Sequence, residues 1–328
     1  MKKFTALLLT AILLFALAAC SANTSATEQG NQQTSVILRI YSLKGPTSMG
    51  LVKLLDDNTN NLTQNAYQSE MVTAADEVTA AFVSGKADIA MLPANAAATL
   101  YQKAGGFSVV AVNTLGVLYI VENGGSVQSV ADLAGKTVYL TGKGTTPEYA
   151  LRDLLAAYGI EDTVMLEFKS EAAEVVNAMT ADVAAIGLLP QPFVTSALMQ
   201  NEKLRIALDL TSEWAEAFPA SKMVTGVTVI RNEILEAYPE QVEKFLQEYA
   251  ASIDYVNQNP AEAAQWIEQL GIVGKAAIAE KAIPNCNLVC LTGNEMKTAL
   301  SSYLQSLFER NPDVIGGALP DDAFYFVR

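Results

Sequence analysis

An alternation of strand-like and helix-like runs, which begins at Val36 and later begins again, dominates this sequence. "VILRIYSL" precedes a helical pattern over Thr47 to Leu55, and "ADIAML" precedes "ANAAATLYQKAG". The second series opens with "KTVYLT", followed by a run in which Leu151, Leu154 and Leu155 recur at helical spacing. This alternation predicts two α/β units, each with a parallel sheet covered by helices.

Two further strand-like runs, "GVLYIVEN" from Gly116 and "GVTVIRNE" from Gly226, flank the second series. A chain that leaves one unit and later returns to it crosses between the units twice, which makes a hinge. We therefore expect a discontinuous first lobe of residues 36–115 and 225–328, and a second lobe of residues 116–224. Helices predicted over Ala237 to Val256, Pro260 to Leu270 and Glu295 to Glu309 would complete the first lobe.

The N-terminus has the composition of a secretory signal. Two lysines precede an apolar run from Ala6 to Ala19, which is too short for an ordinary membrane span. Leu17-Ala18-Ala19-Cys20 resembles the bacterial lipobox, in which the cysteine is lipidated, and a plain signal with a chance cysteine is the alternative. We expect a signal peptide over residues 1–19 and a lipidated Cys20 leading a flexible polar tether over 20–35. The body would then be extracytoplasmic and lipid-anchored to the cell membrane.

Composition excludes several classes of function. The formal net charge is −14, which disfavours binding to nucleic acid. The chain has no histidine, so serine–histidine and cysteine–histidine catalysis and the usual histidine zinc sites are absent. Cys286 and Cys290 could close a small disulfide or be two small buried hydrophobic residues. We expect no metal site and no cofactor.

These features together resemble a solute-binding lipoprotein of an ABC importer, in particular the nitrate, sulfonate, taurine and bicarbonate group, which includes binders of thiamine-pyrimidine precursors. The segments that carry the resemblance are "SLKGPTSMGLVKLL", "VSGKADIAMLPANAAATLY", "VADLAGKTVYLTGKGTTPEYALRDLLAAYGI" and "VTGVTVIRNEIL". It implies a two-lobe periplasmic-binding-protein (Venus-flytrap) fold, with two sheets joined by a two-strand hinge. It also implies a small-molecule ligand in the cleft, a membrane permease as partner and a monomeric protein.

Loops that follow parallel strands are the expected ligand site, because ligands bind outside the carboxyl ends of such strands. The candidate ligand residues are Gly45, Pro46, Thr47, Ser48 and Met49, then Pro93, Ala94 and Asn95, then Asn113 and Thr114 at the crossing, then Gly142, Lys143, Thr145 and Thr146, and finally Gln191 and Asn285. Many relatives carry an acidic residue where this chain has Gln191, which weakens the case for a cationic ligand there.

Each loop also has a purely structural alternative. Thr47 or Ser48 could only cap a helix, and Asn95 could do the same. Lys143 could be a solvated loop lysine. Thr145 has capping-box spacing to Glu148, three residues further on.

Three functions fit the resemblance. The first is capture of a small polar or anionic organic solute for an ABC importer, with no enzymatic activity. A second is a ligand-sensing lipoprotein for a membrane receptor. A third, a two-lobe biosynthetic enzyme of menaquinone or thiamine-precursor type, is disfavoured by the anchor and by the lack of histidine.

Overall fold

The structure is a computed structural model, and it describes residues 36–182 and 184–327. The predicted signal peptide, the lipidated Cys20 and the tether lie outside these residues. From Val36 onward the chain forms one compact unit. None of the described helices is both long enough and apolar enough to cross a membrane.

Two sheets form the framework. The chain passes from the first sheet to the second and later returns to the first. The strands are β1 Ile37–Leu43, β2 Ala66–Val72, β3 Ile89–Pro93, β4 Phe107–Leu115, β5 Leu118–Asn123, β6 Thr137–Leu140, β7 Met165–Phe168, β8 Ile186–Pro190, β9 Leu204–Asp209, β10 Val224–Arg231 and β11 Leu288–Leu291. The first sheet has the strand order β11-β4-β10-β3-β1-β2, and the second has the order β7-β6-β8-β5-β9.

Helices cover both sheets, so the predicted architecture of two sheets with flanking helices is confirmed. They are α1 Pro46–Met49, α2 Val52–Thr59, α3 Ala75–Val83, α4 Ala94–Ala104, α5 Thr146–Ala157, α6 Ala172–Ala181, α7 Phe193–Gln200, α8 Leu210–Ala217, α9 Asn232–Ala237, α10 Pro239–Gln258, α11 Pro260–Gln269, α12 Ala276–Ala282 and α13 Gly293–Arg310. Short 3₁₀ turns cover Val130–Leu133, Glu161–Thr163, Ile283–Asn285, Pro312–Ile315 and Asp322–Phe324.

The direction of the strands differs from the prediction in one respect. β1, β2 and β3 are parallel, as are β6, β7 and β8. However, β10 and β11 run antiparallel to their partners in the first sheet, and β5 does so in the second. The prediction of wholly parallel sheets is therefore wrong. The chain enters β5 and β10 after crossing from the other sheet. Each of these strands therefore begins at the edge where the neighbouring parallel strand ends.

The first crossing consists of only Gly116 and Val117, between β4 and β5, and we call it the crossover. The second crossing, residues 218–223, joins α8 to β10. A crossover of two residues leaves little separation between the end of β4 and the start of β5. It therefore holds one edge of the first sheet against one edge of the second.

The last helix, α13, packs against elements of both sheets. Leu300 and Leu304 of α13 belong to one buried hydrophobic cluster with Val112 of β4 and Leu151 of α5. Tyr303 also meets the indole of Trp214 in α8 edge-on, with ring centroids 5.8 Å apart. α13 thus contacts elements of both sheets through its side chains.

Two features of the helices differ from the sequence prediction. The helix expected from Ala237 begins at Pro239, because the residue before a proline is biased away from helical conformation and Tyr238 has φ −133°. A short helix, α9, precedes it. The sequence pattern does not predict α8, α12 and β11, which are short segments without clear periodicity.

Candidate functional site

The predicted loops converge on the edges that the crossover joins. In the first sheet, Gly226 at the start of β10 pairs with Pro93 at the end of β3 and with Thr114 near the end of β4. In the second sheet, Leu118 at the start of β5 pairs with Pro190 at the end of β8. The loops that follow β1, β3, β6 and β8 therefore lie along two neighbouring edges.

Gly226 brings three predicted residues together on the first-sheet edge. A Cβ atom at this position would lie 2.4 Å from Asn113 Oδ1, 2.4 Å from Thr47 Cγ2 and 3.3 Å from Thr114 Cβ. Only glycine fits between these side chains. Gly226, which the sequence predicts only as the start of a strand, thus belongs to the candidate site.

The hydroxyl groups of the first loop bond backward to the preceding strand. Thr47 Oγ1 donates to the carbonyl oxygen of Leu43 at 2.9 Å, and Ser48 Oγ lies 2.5 Å from the same oxygen and 2.9 Å from Ser42 Oγ. Gly45 is the N-cap of α1, and no side chain caps this helix. The capping alternative is therefore wrong for Thr47 and Ser48. With their hydrogens engaged in this way, the two hydroxyl groups offer acceptor oxygens to a ligand.

The first loop also contains Gly45, Pro46 and Met49, and it becomes more buried toward Met49. Met49 and Ser48 are fully buried and Thr47 is nearly so, whereas Gly45 and Pro46 are half-buried. The predicted helix from Thr47 to Leu55 is interrupted after Met49 and resumes at Val52.

A buried polar layer lies beneath the first-sheet edge. Asn113 Nδ2 donates to Thr228 Oγ1 at 3.0 Å, and Thr114 Oγ1 donates to Asn113 Oδ1 at 2.9 Å. The phenol of Tyr249 is fully buried and finds no well-formed hydrogen bond among the described residues. Burial raises the pKa of Tyr249, so the group stays neutral.

The second predicted loop is anchored through its backbone. Pro93 ends β3 and pairs with Gly226, and Ala94 is buried. Asn95 is half-buried, and no side chain caps α4. The prediction that Asn95 caps α4 is therefore wrong. Its side-chain amide has no hydrogen-bond partner within residues 36–182 and 184–327, so the amide is available to a ligand.

The glycine-rich loop of the second lobe is held by bonds within itself. The backbone N–H and the hydroxyl of Thr145 both donate to the carbonyl oxygen of Gly142, at 3.0 Å and 2.5 Å. Gly142 and Gly144 have φ of 80° and 72°, values that residues with a side chain rarely adopt. Thr145 is exposed and Thr146 is half-buried. Thr145 therefore has no hydrogen left to donate to a ligand.

The expected capping box at α5 is wrong. Thr145 is the N-cap but its side chain does not cap, and the carboxylate of Glu148 accepts from the backbone N–H of Gly144 at 2.7 Å, one residue earlier than in a capping box. The exposed Lys143 has its ammonium group 5.7 Å from the ring centroid of Phe168. Glu148 thus occupies the backbone donor of Gly144, which lies between the predicted ligand residues Lys143 and Thr145.

Gln191 is the most enclosed of the predicted side chains in the second lobe. It is 2% exposed, and its backbone N–H donates to the carbonyl oxygen of Val117 in the crossover at 2.9 Å. Its Oε1 accepts from the hydroxyl of Thr195 at 2.8 Å, while its Nε2 is buried with no partner among the described residues. The peptide bond to Pro192 is cis.

Asn285 and its neighbour Asn287 connect the first lobe to the second. The phenol of Tyr119 in β5 donates to the carbonyl oxygen of Asn285 at 2.7 Å. Asn287 donates from Nδ2 to the carbonyl oxygen of Gly116 at 2.6 Å and accepts from the N–H of Leu115 at 3.0 Å. No sequence pattern points to Asn287, because its partner Gly116 is 171 residues away.

A cavity of about 430 Å³ opens between α7 and α12, next to this connection. Its lining residues are Thr195, Leu198, Met199, Glu202, Ile206, Lys281 and Asn285. It is thus lined from both lobes, and it contains one predicted ligand residue.

Cys286 and Cys290 are free thiols. Cys286 is buried, and burial raises its pKa to about 12. Burial also raises the pKa of Cys290 to about 11. Cys286 fits the description as a small buried group and Cys290 is half-buried, whereas the disulfide alternative does not fit this structure. No group of three or more potential metal ligands occurs among the described residues.

The two sheets and the double crossing give the two-lobe fold that periplasmic binding proteins have. The chain belongs to the NMT1/THI5 like family, whose model matches residues 68–263. A comparison with curated protein sequences gives no match.

Solved structures of the same fold cover most of the chain. One is the crystal structure of an ABC transporter from Parabacteroides distasonis, with 25% sequence identity and a TM-score of 0.74. The match covers 88% of this chain and 98% of that one. The periplasmic aliphatic sulphonate binding protein SsuA from Escherichia coli is 15% identical, with a TM-score of 0.68 and coverage of 88% and 90%. A DSZB mutant in complex with biphenyl-2-sulfinic acid is 12% identical, with a TM-score of 0.59 and coverage of 89% and 96%.

Proposed function

We propose that this protein is an extracytoplasmic solute-binding lipoprotein, which captures a small polar or anionic organic solute between its lobes and delivers it to an ABC importer. The observation that carries the proposal is the convergence of the predicted loops from both sheets on the crossover of Gly116 and Val117. A ligand held there touches both lobes at once. Its binding energy then favours the closed arrangement, which is the signal that a permease recognises.

The unpaired donors at these edges support a ligand there. Buried polar groups are nearly always hydrogen-bonded, so the orphaned Nε2 of Gln191 calls for a partner that the described residues do not supply. The amide of Asn95 is a second available donor. The oxygens of Thr47, Ser48 and Thr145 can accept. This combination suits a solute with a polar head that accepts hydrogen bonds, as a sulfonate or a heterocycle does.

We propose lobe limits of 36–115 with 225–328 for the first lobe, and 116–224 for the second. The membership of the strands in the two sheets supports these limits. We do not propose that the protein catalyses a reaction of its ligand. The buried hydroxyl of Ser48 bonds to a hydroxyl and a carbonyl oxygen, neither of which is a strong base, so it is not activated as a nucleophile.

Anchoring through a lipid on Cys20, and a monomeric state, are further parts of the proposal. Cells fed labelled palmitate should incorporate the label into this protein, and replacing Cys20 by alanine should abolish the incorporation. Lack of label in the wild-type protein, or label retained in the C20A protein, would contradict the lipid anchor.

The function itself is tested by thermal unfolding of the protein with aliphatic sulfonates, nitrate, bicarbonate, pyrimidines and aromatic acids. A ligand at a hundred times its Kd stabilises the folded state by about 2.7 kcal/mol, which raises the unfolding midpoint by several degrees. We expect such a rise with one chemical class, and we expect Gln191→Ala and Asn95→Ala to abolish it. A rise that both variants leave unchanged would place the ligand elsewhere.

A further inference from the structure

Arg310, in the last turn of α13, reaches into the second lobe and contacts three of its residues. Its Nη1 lies 3.1 Å from both carboxylate oxygens of Glu161, and its Nη2 donates to the carbonyl oxygen of Arg152 at 3.1 Å. Its Nε pairs with the carboxylate of Asp153. The guanidinium therefore uses all three nitrogens across the boundary between the lobes.

From these contacts a continuous series of polar contacts leads to the glycine-rich loop. Arg152 contacts Glu161 at 3.4 Å through Nη1, and its Nε donates to Glu148 Oε1 at 2.8 Å. The other oxygen of Glu148 accepts from the N–H of Gly144 at 2.7 Å. The path from Arg310 to Gly144 contains only charged side chains and one backbone donor.

Glu148 and Asp153 are the carboxylates of this cluster that are shielded from water, whereas Glu161 is 24% exposed. The side chains of Glu148 and Asp153 are 10% and 11% exposed. Burial alone would raise the pKa of Glu148, but the N–H of Gly144 and the guanidinium of Arg152 lower it overall. Removing one partner from such a buried pair leaves an uncompensated charge, so neighbouring groups must rearrange.

The tip of the loop has few other attachments. Thr145 donates to Gly142 within the loop and accepts from the N–H of Tyr149 in α5 at 3.2 Å, whereas Lys143 and Gly144 at the tip are exposed. The bond from Gly144 to Glu148 therefore fixes the tip relative to α5, and the orientation of Glu148 depends on Arg152.

We propose that Glu148, Arg152 and Arg310 are positioning residues, which set the conformation of the ligand loop 142–146 and couple it to α13. None of the three needs to touch the ligand. That loop 142–146 contacts a ligand rests on the proposed function, whereas its dependence on Arg310 does not. Because α13 packs on both lobes, a change in their relative position would reach the loop through this path.

Amide exchange at Gly144 tests the proposal without any ligand. In purified isotope-labelled protein, Arg310→Met and Arg152→Met should each speed exchange of this amide by about tenfold, the change that corresponds to weakening one charged hydrogen bond. Arg310→Lys, which keeps the charge but not the fork, should restore part of the protection. If Arg310→Met does not fold, Arg152→Met and Arg310→Lys give the same test.

Arg205→Met is the matched control. Arg205 pairs with the buried carboxylate of Glu122 in the same lobe, with side-chain exposures of 34% and 3%. It should cost stability and leave exchange at Gly144 unchanged. Unchanged exchange in both Arg152→Met and Arg310→Met, or an equal increase in Arg205→Met, would overturn the proposal.

A binding measurement with propanesulfonate separates this proposal from the proposed function. Faster exchange together with weaker binding in Arg310→Met supports both. Faster exchange in a protein that binds neither propanesulfonate nor any other solute of the panel supports the positioning role and contradicts the function. Binding by the wild-type protein with unchanged exchange in the variants contradicts only the positioning role.

Discussion

Asn287 holds the crossover from the side of the first lobe, with its side-chain amide 2.6 Å from the carbonyl oxygen of Gly116. Its own carbonyl oxygen accepts from Leu115 at 3.0 Å, so one residue contacts two consecutive residues at the crossing. It does this with φ of 46°, a left-handed conformation in which asparagine is tolerated better than most residues. The position of the hinge therefore depends on a side chain far away in the sequence.

We predict that Asn287→Gly will lower the free energy of unfolding by about 1 kcal/mol, because it loses the amide bond to Gly116 and the longer contact with Thr211 Oγ1 at 3.4 Å and keeps the left-handed backbone. Asn287→Ala should cost roughly 1 kcal/mol more, because alanine is strained at this φ. Chemical denaturation measures both. Both variants should also broaden the distribution of interlobe distances measured by small-angle scattering.

Asn257→Ala is the control for this prediction, since the Asn257 amide donates to the carbonyl oxygen of Leu288 at 3.0 Å within the first lobe. It should destabilise the fold without changing the scattering profile. Equal changes in the two proteins would show that Asn287 has no special role at the crossing.

Gly226→Ala should impair both folding and binding. The added Cβ would lie 2.4 Å from Thr47 Cγ2 and from Asn113 Oδ1, so both side chains must move, and overpacking of this kind costs about 1–3 kcal/mol. Solute affinity should fall because two predicted ligand residues are displaced. Gly274→Ala, at a position with open space around it, should change neither quantity. Normal affinity in Gly226→Ala would remove Thr47 and Asn113 from the site.

Thr47→Val tests whether the first loop serves the ligand or only the fold. It removes a hydroxyl that donates to the carbonyl oxygen four residues earlier at 2.9 Å, and its loss should cost about 1 kcal/mol of stability. Thr79→Val is a close match, since Thr79 Oγ1 donates to the carbonyl oxygen of Ala75 at 3.0 Å with the same spacing. We expect similar destabilisation in both and weaker solute binding only in Thr47→Val. Equal affinities would mean that the hydroxyl of Thr47 is purely structural.

The sequence was most informative where local pattern and burial agree. The apolar run of β3 and the helical spacing of α5 predict elements that the structure confirms. The loops after these strands follow from the general geometry of parallel sheets. Shorter elements such as α12 and β11 lack enough residues to show a period, and their positions depend on packing against α7 and β4.

Hydrogen-bond partners were harder to predict than positions. The spacing of Thr145 and Glu148 fits a capping box, but the left-handed turn at Gly144 moves its N–H to the carboxylate instead. Asn287 gives no local signal at all, because its partners are brought near by the folding of both lobes. Sequence patterns therefore predicted the loops of the candidate site and left open which of their donors are already used.

Glu148 should make stability depend on pH with a definite sign. The pKa of its carboxyl in the folded protein lies below the ordinary value of 4.5, because Gly144, Arg152 and Lys143 together outweigh burial. A lowered pKa stabilises the fold above pH 4.5 and loses this effect as pH falls through the folded-state value. Glu148→Gln should therefore be less stable than the wild-type protein at pH 6–8, and the difference should shrink below about pH 4.5.

Asp153 provides the contrast within the same cluster. Burial raises the pKa of its carboxyl above the ordinary value of 3.8, in spite of Arg310, so its ionisation opposes folding as pH rises through that range. Asp153→Asn removes this effect, so its stability relative to the wild-type protein should improve as pH rises from 3 to 6. Denaturation series at several pH values measure both slopes. Parallel curves for Glu148→Gln and the wild-type protein from pH 3 to 8 would show that Glu148 is not held by Gly144 and Arg152 in solution.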